Sequence, residues 1–534
     1  MHAIFSKGEI ARVARFFAGR RKPESARVFF RAQLLELMQW IASHCNDMPD
    51  DGATFERADV RQAFAKAALI AGELWGKRVF DGKLEDKPDR KASRRQALGA
   101  FRIGTEADSL GTDPLLAIGR GRSLFLEHLH KIRGSVGNEF RAASGLSLES
   151  FYGLLATIAT HYLLRVDLED SCPQRSGLFH EKNFLARPTF ASAFQHYVSF
   201  ACQSPDEMRV AVPATIDSAS VVTDHCSWMS HLKRRPILRT SDGRCIVADP
   251  VAFSEHASAG PLFAILPGKS QTEVNQCFSD FGLAFERYAN SILRRMYPTP
   301  PTPLVDRLAC DVPGVKKDGT AVQVADASLS DGQDVALFEM KAVWLAERHA
   351  DAADPYEYVK QVDALYVSAG RDGRRPKGAG QLANSIAKIA SGEWVPTRFD
   401  LSVNGTIYPI LVCYDTRLRV AGHPWHLAEQ FRSALNADVE STTHELVKSG
   451  LRVANLVVIT IEDLEILETS IEHFGLMELI RDYVRACPER LCSLHDYIAT
   501  SNYQNKIFAN RDLARSALEA LEAARVLMGA ESSR

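Results

Sequence analysis

The chain has 534 residues, 46% of them hydrophobic and 24% charged, and carries a net charge of −2. That composition is ordinary for a globular protein, and the near balance of charge leaves any nucleic-acid contact to local basic patches. Ten scattered cysteines without a C-x-x-C pair, no long apolar run and a charged N-terminus without a hydrophobic signal core point to a reduced, cytoplasmic protein with no membrane partner.

At about 100–200 residues per domain the chain holds several. Residues 1–200 read as helical: ARVFFRAQLLELMQWIASH, VRQAFAKAALIAGELWG, PLLAIGRGRSLFLEHLHKI and LESFYGLLATIATHYLLRV repeat apolar residues at three and four. The polar stretch 81–95 interrupts them as an exposed loop, and Ser147 or Ser150 caps the helix over FYGLLATIATHYL. This region is read as a scaffold, partner surface or sensor, where a partner subunit or a second copy of the chain would dock. Residues 201–270 form a small β-rich connector, with RVAVPATID strand-like and RPILRTSDGRCIVADP folded over a turn at Ser241-Asp242-Gly243. Residues 271–470 carry the chemistry, and 471–534 return to amphipathic helices ending in ARSALEALEAARVLMG.

Within residues 271–470, FGLAFERYANSILRRMY forms a helix that prolines end, and LACDV reads as a first strand. Val322 to Val343 then reads as a hairpin, two apolar and β-branched runs around a Gly-containing turn. If Gly332 and Gln333 form the turn, residues whose numbers sum to 665 oppose each other, and Asp326 faces Glu339. Their Cβ atoms would then lie about 4.5–5.5 Å apart. With Asp331 and Gly332 as the central pair the two become diagonal neighbours on the same face. Opposed like charges destabilise a sheet unless compensated, and a divalent cation with Lys341 on the same face compensates them. Beyond the hairpin, YEYVKQVDALYVSAG and HLAEQFRSALN read as helices, and TIYPILVCYD and ANLVVITIEDLEIL as strands.

Asp326 followed by Glu339-x-Lys341 on the next strand resembles the catalytic signature of the PD-(D/E)XK nuclease superfamily, and residues of roughly 280–470 resemble its restriction-endonuclease-like fold. The expected class is therefore α/β (α+β over the whole chain), a mixed sheet flanked by helices behind a large helical N-terminal region. Glu286 matches the further acid that the family carries on the preceding helix. Gln381 in KGAGQLANSIAKI matches the helical glutamine of the exonuclease-like branches, where Ser385 replaces their tyrosine; Ala325 replaces the proline of the family name.

The resemblance implies Mg²⁺, with Mn²⁺ as a substitute, held by Glu286, Asp326 and Glu339, and the Met340 carbonyl is a candidate further ligand. Lys341 would position the attacking water, Gln381 would assist, and in-line attack would leave a 5′-phosphate. Arg371, Arg374, Arg375 and Lys377, in a glycine-rich loop, are candidates for phosphate-backbone contacts. The expected substrate is nucleic acid, DNA before RNA. The absence of helicase, P-loop and zinc-finger motifs makes the chain look like a stand-alone effector of a prokaryotic anti-phage defence system. A non-catalytic scaffold of the same fold, and an RNase using the same site, stay open as alternatives.

Overall fold

A computed structural model of the chain describes residues 113–160, 178–185, 188–204, 232–298, 307–332, 334–345, 355–368, 375–399, 405–435 and 451–527, with scattered positions in 58–70 and 206–207. Arg371, Arg374 and RVAVPATID lie outside the described residues.

Helix α1 (Pro114–Arg122) starts where Asp113 accepts a hydrogen bond from the Leu115 amide and proline takes the first helical position. It runs on through a π-helical stretch, Ser123–Leu129. Helices α2 (Val136–Ser144), α3 (Leu148–Ile158) and α4 (Pro188–Ala201) follow, and Ser147 rather than Ser150 is the cap of α3, its hydroxyl accepting from the Ser150 amide. A four-stranded sheet comes next, in the order β1 (Leu178–His180), β4 (Arg244–Val247), β3 (Ile237–Arg239), β2 (Cys202–Gln203). β3 and β4 form the expected hairpin, but β1 comes from the stretch read as helical. Three residues are too few for an alternating pattern to register in a sequence.

Two helices lead into the larger sheet: α5 (Pro250–Ala264), capped by Asp249, and α6 (Gln271–Met296), opened by a Ser270–Glu273 capping box. The sheet is mixed. β5 (Arg307–Lys316), β6 (Ala321–Asp331) and β7 (Asp334–Lys341) form an antiparallel meander, and β8 (Trp394–Pro396) extends it at the β5 edge. β9 (Thr406–Cys413) runs parallel to β7, and β10 (Arg452–Val453) and β11 (Val457–Thr460) run parallel to β9. The helices α7 (Pro355–Tyr366) and α8 (Ala379–Ala390) cross between β7 and β9, and α9 (His423–Leu435) crosses onward from β9. The expected strand over 454–467 is shorter than its apolar run suggests. Thr460 and Asp463 form a capping box that turns the chain into α10 (Ile461–Ser470).

Both faces of this sheet are covered. Val335, Leu337, Leu411 and Val458 pack against α7, α8 and α9, whereas Ala327, Phe338, Met340 and Ile410 pack against α6. The second cluster continues without interruption into α1, α3 and α5 and into the C-terminal helices α11 (Leu476–Ala486), α12 (Leu494–Ala499) and α13 (Arg511–Leu527). Residues from all four expected regions thus share one core. The approach of α1 is close: a Cβ at Gly119 would lie 2.5 Å from the Leu513 carbonyl oxygen, and one at Gly121 2.2 Å from that of Ala257. Arg120, between them, is buried and donates to Glu465 at 2.7 and 2.6 Å and to Glu462 at 3.3 Å. Among the described residues no helix is long and apolar enough to cross a membrane.

Candidate active site

The hairpin sets the site. Its paired residues run from Asp331↔Asp334 to Ala327↔Phe338, their numbers summing to 665, and Gly332 turns the chain with φ of +81°. This is the register expected from the first of the two turn choices, and one step further along it lie Asp326 and Glu339. Arg481 of α11 pins the hairpin end, bonding Asp334 at 2.9 Å and also reaching Asp331.

The ladder stops just short of the two acids because Asp326 takes over: its Oδ2 accepts the Met340 amide at 2.7 Å. Its Oδ1 accepts from the Gln323 side chain at 3.1 Å. Residues three apart on a regular strand point to opposite faces, but here the β5–β6 register shifts between Val312 and Pro313, with Val324 the extra residue. This β-bulge is what brings Gln323 round to Asp326. On the far side of the bulge Asp311 lies opposite Asp326, between the pairs Cys310↔Ala327 and Val312↔Ala325, with its backbone in the left-handed region at φ +51°. Asp311, Asp326 and Glu339 therefore lie in a row across three adjacent strands. Sequence reasoning missed Asp311: the register at the turn, Val315↔Ala321, counted onward would set Cys310 across from Asp326, and only the bulge advances it to Asp311.

The electrostatics follow from burial. Asp326 and Glu339 are 7% and 2% exposed. Burial first, then the neighbouring Asp326 carboxylate, pushes the Glu339 carboxyl up to about 8. Burial likewise raises Asp326 above the usual aspartate range, with Asp311 adding to it, while the Met340 amide and Lys341 pull against the shift. Lys341 places its Nζ 2.5 Å from Glu339 Oε1. Burial alone would lower the lysine, but Glu339, Asp326 and Glu286 outweigh it, so the lysine stays cationic.

Glu286 is near enough to take part: burial and Asp326 push its carboxyl up to about 7. Its helix, α6, packs on the opposite face of the sheet from the alternation that carries Leu337, Glu339 and Lys341. Among the described residues no three His, Cys, Asp or Glu side chains gather closely enough to hold a metal ion. The three acids thus share a field without forming a ready-made cage. The donor chemistry still suits a hard divalent cation, because Mg²⁺ is commonly bound through one or two carboxylates with water completing its shell. The pair Asp326–Glu339 supplies those.

The remaining candidates sit further out. Met340 points its side chain into the α6 face, and its amide is taken by Asp326. Gln381 is half-buried in the first turn of α8; no hydrogen bond among the described residues joins its side chain to the acids. Arg375 and Lys377 are exposed just ahead of α8. Comparison of the chain with family models, with curated proteins and with solved structures returns no match.

Proposed function

We propose that the chain is a Mg²⁺-dependent nuclease of the PD-(D/E)XK kind that hydrolyses phosphodiester bonds, in DNA before RNA. One observation carries the reading: two buried carboxylates brought opposite each other by the hairpin register, with a lysine ammonium against one of them. An acid pair this costly is kept where something positively charged is to be received. Asp326 and Glu339 would hold the cation, with Glu286 adding negative field. A bound divalent cation polarises a phosphoryl oxygen and lowers the pKa of a coordinated water. Lys341, cationic and half-exposed beside Glu339, orients the attacking water and neutralises charge on the phosphoryl oxygens. The water oxygen would bond to phosphorus as the bond to the 3′ oxygen breaks; the water gives up one proton, the departing 3′ oxygen takes one up, and a 5′-phosphate and a 3′ hydroxyl remain. Arg375 and Lys377, at the rim, suit contacts to flanking phosphates.

The test is a cleavage assay on circular and linear DNA, single strands and RNA, with Mg²⁺ or chelator. Glu339→Ala and Lys341→Ala are each expected to lower the rate by about 10²-fold or more. Cleavage unchanged in both variants would remove these residues from the mechanism. A role as a defence effector rests on the same site; phage plating on cells carrying wild type or Glu339→Ala tests it, and equal protection by the two would refute it.

A further inference from the structure

A cavity of about 1100 Å³ opens where β7 and β9 end. The two strands are parallel neighbours, and the carboxyl ends of parallel strands are where open α/β sheets receive ligands. Trp344, three residues past Lys341, lines it from β7, and Arg417 lines it from beyond β9. Phe263 of α5 and Phe278 of α6 line it beside Trp344, and Arg234 ahead of β3 and Lys377 ahead of α8 also contribute to the lining. Pockets that enclose small ligands run to about 300–1,000 Å³ and combine an apolar wall with a few polar groups.

The wall is aromatic. The Trp344 ring centroid lies 5.5 Å from that of Phe263 and 6.0 Å from that of Phe278, and all three side chains are only half-buried. The charges on the lining do not cancel. Its carboxylates have cations of their own: Glu255 has Lys233 at 2.8 Å, Asp415 has Arg417 at 2.7 Å, and Glu462 has Arg120 at 3.3 Å and Arg419 at 2.5 Å. Arg234 and Lys377 are exposed and make no ion pair among the described residues. A ligand that uses both features is planar and aromatic at one end and anionic at the other.

We propose that this cavity binds a nucleotide, its base against the Trp344–Phe263–Phe278 wall and its phosphate between Arg234 and Lys377. The segment Ala342–Leu345 that lines the cavity leaves β7 directly after Lys341, which joins the cavity to the acid pair through the backbone of one strand. The nucleotide is either free or one unit of a nucleic-acid strand, since both present a base and a phosphate. The inference does not depend on the chain being a nuclease, because binding is read without cleavage.

Isothermal titration calorimetry on the full chain tests it, with adenosine and guanosine diphosphate and a short oligothymidylate as probes. Wild type is compared with Arg234→Ala/Lys377→Ala, Trp344→Leu and Glu339→Gln, each checked by circular dichroism for an unchanged fold; the exposed pair can be truncated without disturbing the core. At least one probe is expected to bind wild type and Glu339→Gln alike, and the double variant and Trp344→Leu each to weaken binding by about ten-fold or more. Diphosphates that bind identify a free nucleotide as the ligand; binding of the oligonucleotide alone, lost in the same variants, identifies a strand. The proposal fails if no probe binds, or if binding is the same in the double variant and in Trp344→Leu as in wild type.

Discussion

Replacing Glu339 by glutamine separates what the carboxylate does for function from what it costs the fold. The glutamine keeps the shape and removes the ionisable group from a position that is 2% exposed. Burial and Asp326 raise the carboxyl from 4.5 to about 8 in the folded chain. Between those pH values the folded protein holds a proton that the unfolded chain has lost, so wild-type stability falls as pH rises through the window. At about 1.4 kcal/mol per pH unit the group accounts for at most about 5 kcal/mol by pH 9, part of it shared with Glu286. The Gln variant lacks this loss. Thermal midpoints of the two proteins at pH 5, 7 and 9, without divalent cation, should start close together and separate in favour of the variant. Mg²⁺ should raise the wild type at pH 8 and leave the variant unmoved, by about 2.7 kcal/mol at a concentration of about 100 times Kd. A wild-type midpoint flat from pH 5 to 9, or a variant equally destabilised throughout, would refute the reasoning.

Arg120→Met leaves the buried Glu465 without its bidentate partner and takes a cation from Glu462, so the chain should lose about 3–5 kcal/mol, read as a lowered midpoint of denaturant unfolding. Replacing Arg120, Glu465 and Glu462 together by apolar residues should recover much of that loss, and no recovery would contradict the desolvation argument. Gly121→Ala drives a methyl toward the Ala257 carbonyl oxygen, a backbone atom that cannot swing aside; a loss of about 1–3 kcal/mol is expected, against little change for Gly137→Ala, where nothing lies within 4 Å.

The hairpin was legible because its signals are local. A glycine suited to positive φ, β-branched runs on either side and a register counted from the turn place Asp326 against Glu339. The helices α6, α7, α9 and α13 were readable for the same reason: their apolar spacing holds over three or more turns. What escaped depends on irregularity or on tertiary choice. Asp311 reaches its place through a left-handed residue beside a bulge, and neither leaves a periodic trace. Periodicity puts Glu286 on a face of its helix but not on a side of the sheet, so it does not announce an approach from the side opposite Glu339. The Thr460–Asp463 box ends β11 within a stretch, 454–467, that reads as one strand. The cavity behind Trp344 joins segments more than two hundred residues apart, from Arg120 to Glu462, which no local pattern connects.

The measurement that bears most directly on the site is calorimetric titration of the chain with Mg²⁺ at pH 7, repeated in buffers of different ionisation enthalpy. Glu339, at about 8, and in part Glu286, at about 7, are protonated there, and a cation docking on the acids displaces those protons. Binding with proton release in wild type, and loss of both in Glu339→Gln and Asp326→Asn, is the predicted result. Binding that releases no proton and persists in the two variants would place the cation elsewhere and contradict the account.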